Sequence, residues 1–157
     1  MPESRRTRLL RWKLNLFPAY VGTGARVTYI AGDFHEIHVK LPLTWRTRNY
    51  VGTIFGGSMY AAVDPVYMVM LIEILGRDYV VWDKAATIRF KHPGRETLYA
   101  KFLLTTDEVG RIKTELIDRK SLESIYQVEL IDEAGKVHAR VEKTIYIARR
   151  EGRVGEA

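Results

Sequence analysis

Residues 49–58, followed by Asp64, have the residue types and spacing of an acyl-transfer site. Gly56 and Gly57 open a long apolar segment that predicts a helix, and the unpaired N–H groups at a helix start can bind a carbonyl oxygen as negative charge builds on it. At about 100° per residue, Asp64 returns to nearly the same face of that helix as Gly57. A carboxylate in this position can act on the neighbouring carbonyl carbon, directly as a nucleophile or as a general base through water.

Two residues in this segment also have simpler interpretations. Asp64 precedes Pro65, and an Asp-Pro pair is favourable at an N-cap and first turn, so Asp64 could cap a second helical piece. An ionisable side chain in an otherwise apolar segment nevertheless favours a functional carboxylate. Ser58 could donate to the same carbonyl oxygen or help to cap the helix, but without a base at a recognisable spacing it is not predicted as a nucleophile.

The pattern resembles the active-site segment of hotdog-fold thioesterases of the phenylacetyl-CoA thioesterase type. The matching residues are Asn49, Gly52, Gly56, Gly57 and Asp64, while Phe55 stands where better-known members carry His. The Phe-Gly-Gly-Ser sequence, Asp64-Pro65 and the later segment 81–86 are similar to a branch catalogued as a domain of unknown function. That branch is also described as tetrameric acyl-CoA thioesterases. The resemblance extends over residues 16–149.

The resemblance implies an α+β hotdog fold, in which a curved antiparallel sheet wraps around one long central helix. It implies a homodimer or homotetramer with the active site at the subunit boundary, an acyl-CoA substrate, and no metal or prosthetic cofactor. It also implies that Gly56 and Gly57 supply the oxyanion amides and that Asn49 helps to place the carbonyl or the water. An ordinary loop residue is the alternative for Asn49. Phe55 is either a wall of the acyl pocket or the loss of a hydrogen-bond donor.

Lys84 occupies an unexpected position in the strand predicted after the helix. Strict alternation places it with Trp82 and Ala86 on the apolar face, where a buried ammonium group needs a partner. One interpretation is that Lys84 pairs with Asp64 and keeps that carboxylate ionised. The other is a bulge that turns Lys84 to solvent and buries Asp83 instead. The sequence does not decide between them.

Other candidate ligand-binding residues surround this core. Arg89, Lys91 and Arg95 flank a His-Pro-Gly turn and could hold the phosphates of coenzyme A, with a solvated strand edge as the alternative. Four larger side chains could line an acyl tunnel, although core packing is the simpler expectation for those on the helix: Trp45, Tyr60, Tyr67 and Met68.

The composition limits the remaining classes. The chain has 157 residues, a net charge of +6 and no cysteine, which fits one domain, excludes disulfides and thiolate chemistry, and is compatible with a cytoplasmic protein. The four histidines lack metal-ligand spacing, so no metal is predicted. Positive charge gathers near residues 5–13 and in a basic tail at 149–157, but aromatic residues are not interleaved with it as in nucleic-acid platforms, and no nucleic-acid partner is expected. No signal peptide or membrane-spanning segment is predicted.

The periodicity predicts the following elements. An N-terminal helix covers residues 4–17, with Leu9, Trp12 and Leu16 at helical spacing, and packs on the domain or on a partner subunit; a lipid-surface role is the less favoured alternative. The central helix covers 57–75. Strands are expected at 26–30, 36–41, 79–91, 97–105, 124–132 and 136–148. Residues 107–118 form a short helix or a broken connection, because Gly110 weakens the helical pattern.

These observations favour an acyl-CoA thioesterase. A hotdog protein that binds acyl groups or acyl-CoA without hydrolysis is the second interpretation, which Phe55 favours. A hotdog hydratase or dehydratase is less favoured, because the histidines fall outside the motif.

Overall fold

The computed structural model describes residues 1–150, which form five helices and six strands. The helices are α1 (Arg5–Leu16), α2 (Pro18–Thr23), α3 (Gly56–Val63), α4 (Val66–Leu75) and α5 (Thr106–Asp118). The strands are β1 (Arg26–Ile30), β2 (Glu36–Leu41), β3 (Tyr79–Phe90), β4 (Leu98–Leu103), β5 (Ser121–Ile131) and β6 (Val137–Arg149).

All six strands belong to one antiparallel sheet with the order β1-β2-β4-β5-β6-β3. Alternate residues of β5 and β6 are buried, so one face of the sheet forms the core and the other meets solvent. β1 and β3 are the edges of the sheet within one chain. β3 pairs with β6, and β3 is the more exposed of these two long strands.

The central helix consists of α3 and α4, which lie against the concave face of the sheet. Its inward residues include Met59, Val63, Met70 and Leu71, all essentially inaccessible to solvent. A long helix inside a curved sheet is the hotdog arrangement, so the predicted α+β fold is confirmed. By length and hydropathy alone the segment Gly56–Leu75 could cross a membrane, but half of it is buried inside the protein, as in the core helices of soluble proteins.

The helix is interrupted once, at Asp64 and Pro65. The Asp64 N–H still bonds to the Tyr60 carbonyl at 3.0 Å, and the Val69 N–H bonds to the Pro65 carbonyl at 2.9 Å. Pro65 has no N–H to continue the ladder, which divides the helix into two hydrogen-bonded pieces. At this interruption the Asp64 carboxylate contacts Lys143 of β6.

Most predicted elements agree with the structure to within a few residues. β1 and β2 have the predicted bounds, and residues 106–118 form a regular helix whose Thr105 cap accepts from the Glu108 N–H. The strong amphipathic pattern of α5 outweighs Gly110, which faces open space. The short helix α2 was not predicted; it begins directly at Pro18, which suits a first helical position. Of the predicted basic tail, residues 151–157 lie outside the described residues.

The loop before α3 fixes where the central helix begins. The Phe55 N–H bonds to the Thr47 carbonyl at 2.7 Å, and the Ile54 N–H bonds to the Gly94 carbonyl at 2.8 Å. Thr47 is fully buried, and its hydroxyl donates to the Pro42 carbonyl. Its methyl group leaves no room beside Gly24, where a Cβ would lie 2.1 Å from it. Gly24 thus lets α2 approach the loop that holds the start of α3.

We expect Gly24→Ala to lower the free energy of unfolding by about 2–3 kcal/mol. The residue has φ = +80°, which costs a non-glycine residue about 1–2 kcal/mol, and the new methyl group collides with Thr47. Gly52→Ala is the matched control, because Gly52 has φ = +84° with nothing within 4 Å of a Cβ. Urea unfolding should show a clearly smaller loss for Gly52→Ala; equal losses would mean that the Thr47 contact carries no weight.

Candidate active site

The start of α3 is a helix end without a side-chain cap. Phe55 is the N-cap residue, and no side chain accepts from the first-turn amides. Helical geometry leaves the N–H groups of Gly56 and Gly57 without intrahelical acceptors. These two amides, together with the helix macrodipole, can receive an oxygen that carries negative charge.

Two phenyl rings lie directly against these glycines. A Cβ on Gly57 would lie 2.3 Å from the Phe55 ring, and one on Gly56 would lie 2.8 Å from the Phe90 ring. Both rings are more than half exposed. Because Gly56 and Gly57 have no side chains, the two rings can lie against their backbone amides. The Phe55 ring offers an apolar surface there and no hydrogen-bond donor.

A cleft of about 430 Å³ opens beside the helix start. Its lining combines a loop, the first turn of α3 and the end of β3: Asn49, Thr53, Ile54, Gly56, Met59, Phe90, Lys91, His92 and Pro93. The Asn49 side chain accepts from the N–H groups of Val51 and Thr53 and donates to the Thr53 hydroxyl. Asn49 thus organises the loop, and its amide has one remaining N–H for a ligand.

Asp64 has a half-exposed carboxylate that is fixed from two sides. Oδ1 accepts from the Tyr60 hydroxyl at 2.7 Å and from Lys143 Nζ at 2.5 Å, while 42% of the side chain remains exposed. The N-cap of α4 is Pro65, and no side chain bonds to that helix end. The interpretation of Asp64 as a helix cap is therefore wrong, and the carboxylate is oriented by residues of the core instead.

Lys143 is the ammonium group that holds this cluster together. Its side chain is fully buried, and Nζ also contacts the Asp64 carbonyl at 2.9 Å and Asp83 Oδ2 at 3.1 Å. Sequence reasoning missed this residue, although the alternation of β6 contains the signal. Val141, Lys143 and Ile145 point to one face, so the lysine lies in an apolar row.

The hypothesis that Lys84 pairs with Asp64 is wrong. Lys84 is exposed and pairs with Glu123 on β5. The register of β3 against β6 shifts between Asp83 and Ala85, which places Asp83 opposite Ile145 and turns Lys84 outward. The bulge was the alternative that the sequence left open, and it makes Asp83 the inward residue.

The cluster perturbs the protonation of its members. Burial raises the pKa of Asp83 above its usual value, and the hydrogen bond from Lys143 offsets this only in part. Burial alone would lower the pKa of Lys143, but the hydrogen bonds to Asp64 and Asp83 prevail and raise it. Asp83 Oδ1 is buried, and no group in the described part of the chain bonds to it. One ammonium thus serves two carboxylates, of which only Asp64 is substantially open to solvent.

The cleft and the Asp64 cluster are separate features within one chain. Asp64 does not line the cleft, and seven residues of helix separate it from Gly57 by about 10 Å along the axis. β3 borders both, with Phe90 at the cleft and Asp83 in the cluster. A carbonyl carbon in direct contact with the carboxylate cannot also hold its oxygen on the Gly57 amide of the same chain.

The remaining residues predicted to bind a ligand lie in different parts of the structure. Arg89 and Lys91 line a groove of about 320 Å³ with Arg140, while Arg95 is exposed and lines neither this groove nor the cleft. Tyr67 is a core residue whose hydroxyl donates to the Gln127 carbonyl. The others differ in their surroundings: Ser58 is buried in α3, Met68 is half-buried and Trp45 is exposed. Across residues 1–150, no three His, Asp or Glu side chains are grouped as they would be around a metal ion.

A family profile matches residues 6–147, nearly the whole chain, and is described as a domain of unknown function, DUF4442. The chain belongs to the DUF4442 family. A comparison with curated proteins gives no match.

Solved structures of similar fold place this DUF4442 chain among hotdog proteins. A Pseudomonas aeruginosa protein of unknown function, described as a probable thioesterase, is 19% identical with a TM-score of 0.81, over 96% of this chain and 99% of that one. A Haemophilus influenzae thioesterase is 15% identical with a TM-score of 0.67, over 93% and 92%. A putative thioesterase from Shewanella oneidensis is 18% identical with a TM-score of 0.68, over 91% and 96%.

We expect Lys143→Met to lower the free energy of unfolding of the DUF4442 chain by about 3 kcal/mol, because it leaves two carboxylates beside an apolar side chain. Lys84→Met is the matched control: its ion pair is exposed, and the expected change is within about 0.5 kcal/mol. Chemical denaturation at neutral pH measures both. Similar values for the two variants would contradict the role assigned to Lys143.

The stability supplied by Lys143 should also depend on pH. Because its pKa is raised in the folded chain, this contribution is complete below the ordinary lysine value of about 10.5 and is lost as pH rises through the folded pKa. The difference between wild type and Lys143→Met should therefore stay constant from neutral pH up to about pH 10 and shrink above it. A difference that grows in alkaline solution would contradict this sign.

Proposed function

We propose that this protein is an acyl-CoA thioesterase in which Asp64 acts as the general base. The observation that carries the proposal is the half-exposed Asp64 carboxylate, held in one orientation by Tyr60 and by the buried Lys143. A catalytic base needs a fixed direction and access to water, and Asp64 has both. The family and the fold of its structural neighbours are compatible with this chemistry, although a fold alone does not fix an activity.

The reaction divides between the two features described above. Asp64 takes a proton from water, and the water oxygen forms a bond to the thioester carbonyl carbon. The N–H groups of Gly56 and Gly57 stabilise the negative charge on the carbonyl oxygen. The carbon–sulfur bond then breaks, and the coenzyme A sulfur leaves with the proton returned by Asp64. This scheme uses no metal or prosthetic group.

We propose that a second copy of the chain completes the site. The axial separation of about 10 Å rules out direct attack by Asp64 on a carbonyl bound to Gly57 of the same chain, and a water could bridge it only in a nearly linear arrangement. β3 is a long edge strand with exposed Trp82 and Phe90, and such edges favour pairing. Two β3 edges joined in a homodimer would bring one chain's cleft near the other's Asp64, and two dimers could form a tetramer.

The remaining substrate contacts follow from charge and shape. Phe55 and Phe90 offer apolar walls for the acyl group beside the amides. Arg89 and Lys91 border a second groove, and Lys91 also lines the cleft. Their positive charge suits the phosphates of coenzyme A. Lys84 is engaged with Glu123, which argues against a role in substrate binding. A cytoplasmic location would suit a coenzyme A ester as substrate.

A hotdog module that binds acyl-CoA without turnover is the second candidate. The observation that favours it is Phe55, whose ring lies against Gly57 and brings no donor to the carbonyl oxygen. The two candidates predict the same ligand and differ in whether Asp64 does chemistry.

We expect Asp64→Asn to lower kcat about 10²–10⁴-fold with little change in KM, because the amide cannot accept the proton. Thiol release from a panel of acyl-CoA esters, from short to long chains plus phenylacetyl, is the measurement. Asp118→Asn is the control, since Asp118 is an exposed carboxylate at the end of α5. It should retain wild-type rates.

Two results would contradict the thioesterase. Equal turnover by wild type and Asp64→Asn would show that Asp64 is not the general base. Tight binding of acyl-CoA without thiol release in either protein would favour the non-hydrolytic module.

A further inference from the structure

The outward face of α1 is apolar, and nothing within residues 1–150 covers it. Leu9, Trp12 and Leu16 are each more than half exposed, and so is Phe17 directly after the helix. At 100° per residue, Leu9, Trp12 and Leu16 lie within an arc of about 60°. The other sides of α1 are anchored: Thr7, opposite the stripe, is buried, and the Asn15 side chain, about 90° from it, bonds to the N–H and carbonyl of Val27, both at 2.8 Å. The exposed stripe is therefore a fixed surface of the fold.

Cationic side chains flank this stripe. Arg8 and Lys13 lie on its two sides, and Arg5 extends it toward the N-terminus. None of these three is within ion-pair distance of a carboxylate in residues 1–150, whereas Arg6 pairs with Glu73 and Arg11 with Glu3. The stripe thus has an apolar centre and a basic border that forms no direct ion pairs within the described residues, although Arg8 is near enough to help lower the pKa of Glu3.

The charge of α1 is unfavourable for the isolated helix. Its first turn contains no acidic residue and carries Arg5, Arg6 and Arg8 at the positive end of the macrodipole. An external anionic surface would turn this arrangement into an attraction. A second copy of the same face would oppose cation to cation, which disfavours self-association through α1.

A cavity of about 530 Å³ adjoins the same helix. Its walls include Trp12 and Leu16, and three arginines also line it: Arg11, Arg26 and Arg46. Of their guanidinium groups, that of Arg11 is bound to Glu3, and that of Arg46 donates to the Val21 carbonyl at 3.5 Å. A pocket with arginines beside exposed tryptophan and leucine fits a phosphate headgroup whose acyl chains continue along the stripe.

We propose that α1 and this cavity dock the protein on the surface of anionic phospholipid bilayers. Leu9, Trp12 and Leu16 enter the boundary between headgroups and acyl chains, while Arg5, Arg8 and Lys13 remain at headgroup level. Arg26 and Arg46 hold the phosphate of one lipid. The helix lies in the plane of the membrane surface and does not span it. This surface is independent of the proposed thioesterase site.

The test is flotation of the full chain with vesicles of phosphatidylcholine containing roughly 30% phosphatidylserine, compared with phosphatidylcholine alone. We expect binding that is at least tenfold tighter with the anionic lipid and that weakens between about 50 and 500 mM salt. The triple variant Arg5→Gln/Arg8→Gln/Lys13→Gln should lose about 100-fold, at roughly fivefold for each charge. The triple variant Leu9→Ser/Trp12→Ser/Leu16→Ser should lose binding to both vesicle types.

A charge-matched control separates this surface from the net charge of the protein. Lys113→Gln/Arg119→Gln/Lys120→Gln removes three exposed cations near the end of α5 and should change binding less than about threefold. Far-ultraviolet circular dichroism confirms that all variants fold. Equal losses in the two charge variants would overturn the proposal, as would absence of vesicle binding by folded wild type. Binding to single-stranded RNA but not to vesicles, or a smaller oligomer in the apolar variant without vesicle binding, would identify a different partner and overturn it as well.

Discussion

The arrangement of the candidate site depends on one buried ammonium group. Lys143 extends from the middle of β6 into the core and binds Asp64 on the central helix and Asp83 on β3. Removing an ammonium from water carries a desolvation cost of several kcal/mol, so the group requires anionic partners within reach. The fold meets this requirement by interrupting the helix at Pro65 and by introducing a bulge into β3. Three elements are tied together at a single atom.

This constraint explains why the two carboxylates differ. Asp83 is less exposed, its pKa is raised by burial, and one of its oxygens has no hydrogen-bond partner among residues 1–150. Asp64 shares the same lysine but stands at the surface with Tyr60. The ammonium lies against both carboxylates, but the Asp64 side chain is 42% exposed and the Asp83 side chain only 22%. Water therefore reaches Asp64 more readily than Asp83.

The sequence predicted the fold well because the hydrophobic patterns are strong. β2 has a clean alternation, and the residues of α3 and α4 are too apolar to be covered on one side only. The candidate site was predicted only in part. Helical rotation placed Gly57 and Asp64 on one face, but rotation does not include the rise along the axis, which separates them by about 10 Å. The bulge at Lys84 exchanges the inward and outward positions of the β3 residues that follow it. None of the residue types near Lys84 indicates a bulge in the sequence. Lys143 could be predicted as a core residue only from its position between the buried Val141 and Ile145 in β6.

At the start of α3, which has no side-chain cap, the polar groups and the apolar surface come from different residues. Gly56 and Gly57 contribute only backbone groups, while the apolar surface beside them belongs to the rings of Phe55 and Phe90. Substitution of either phenylalanine changes the shape of the cleft but leaves the amide groups in place, because those are fixed by the helix itself. Single substitutions at the two rings are therefore expected to alter which ligands fit the cleft without altering its amide groups.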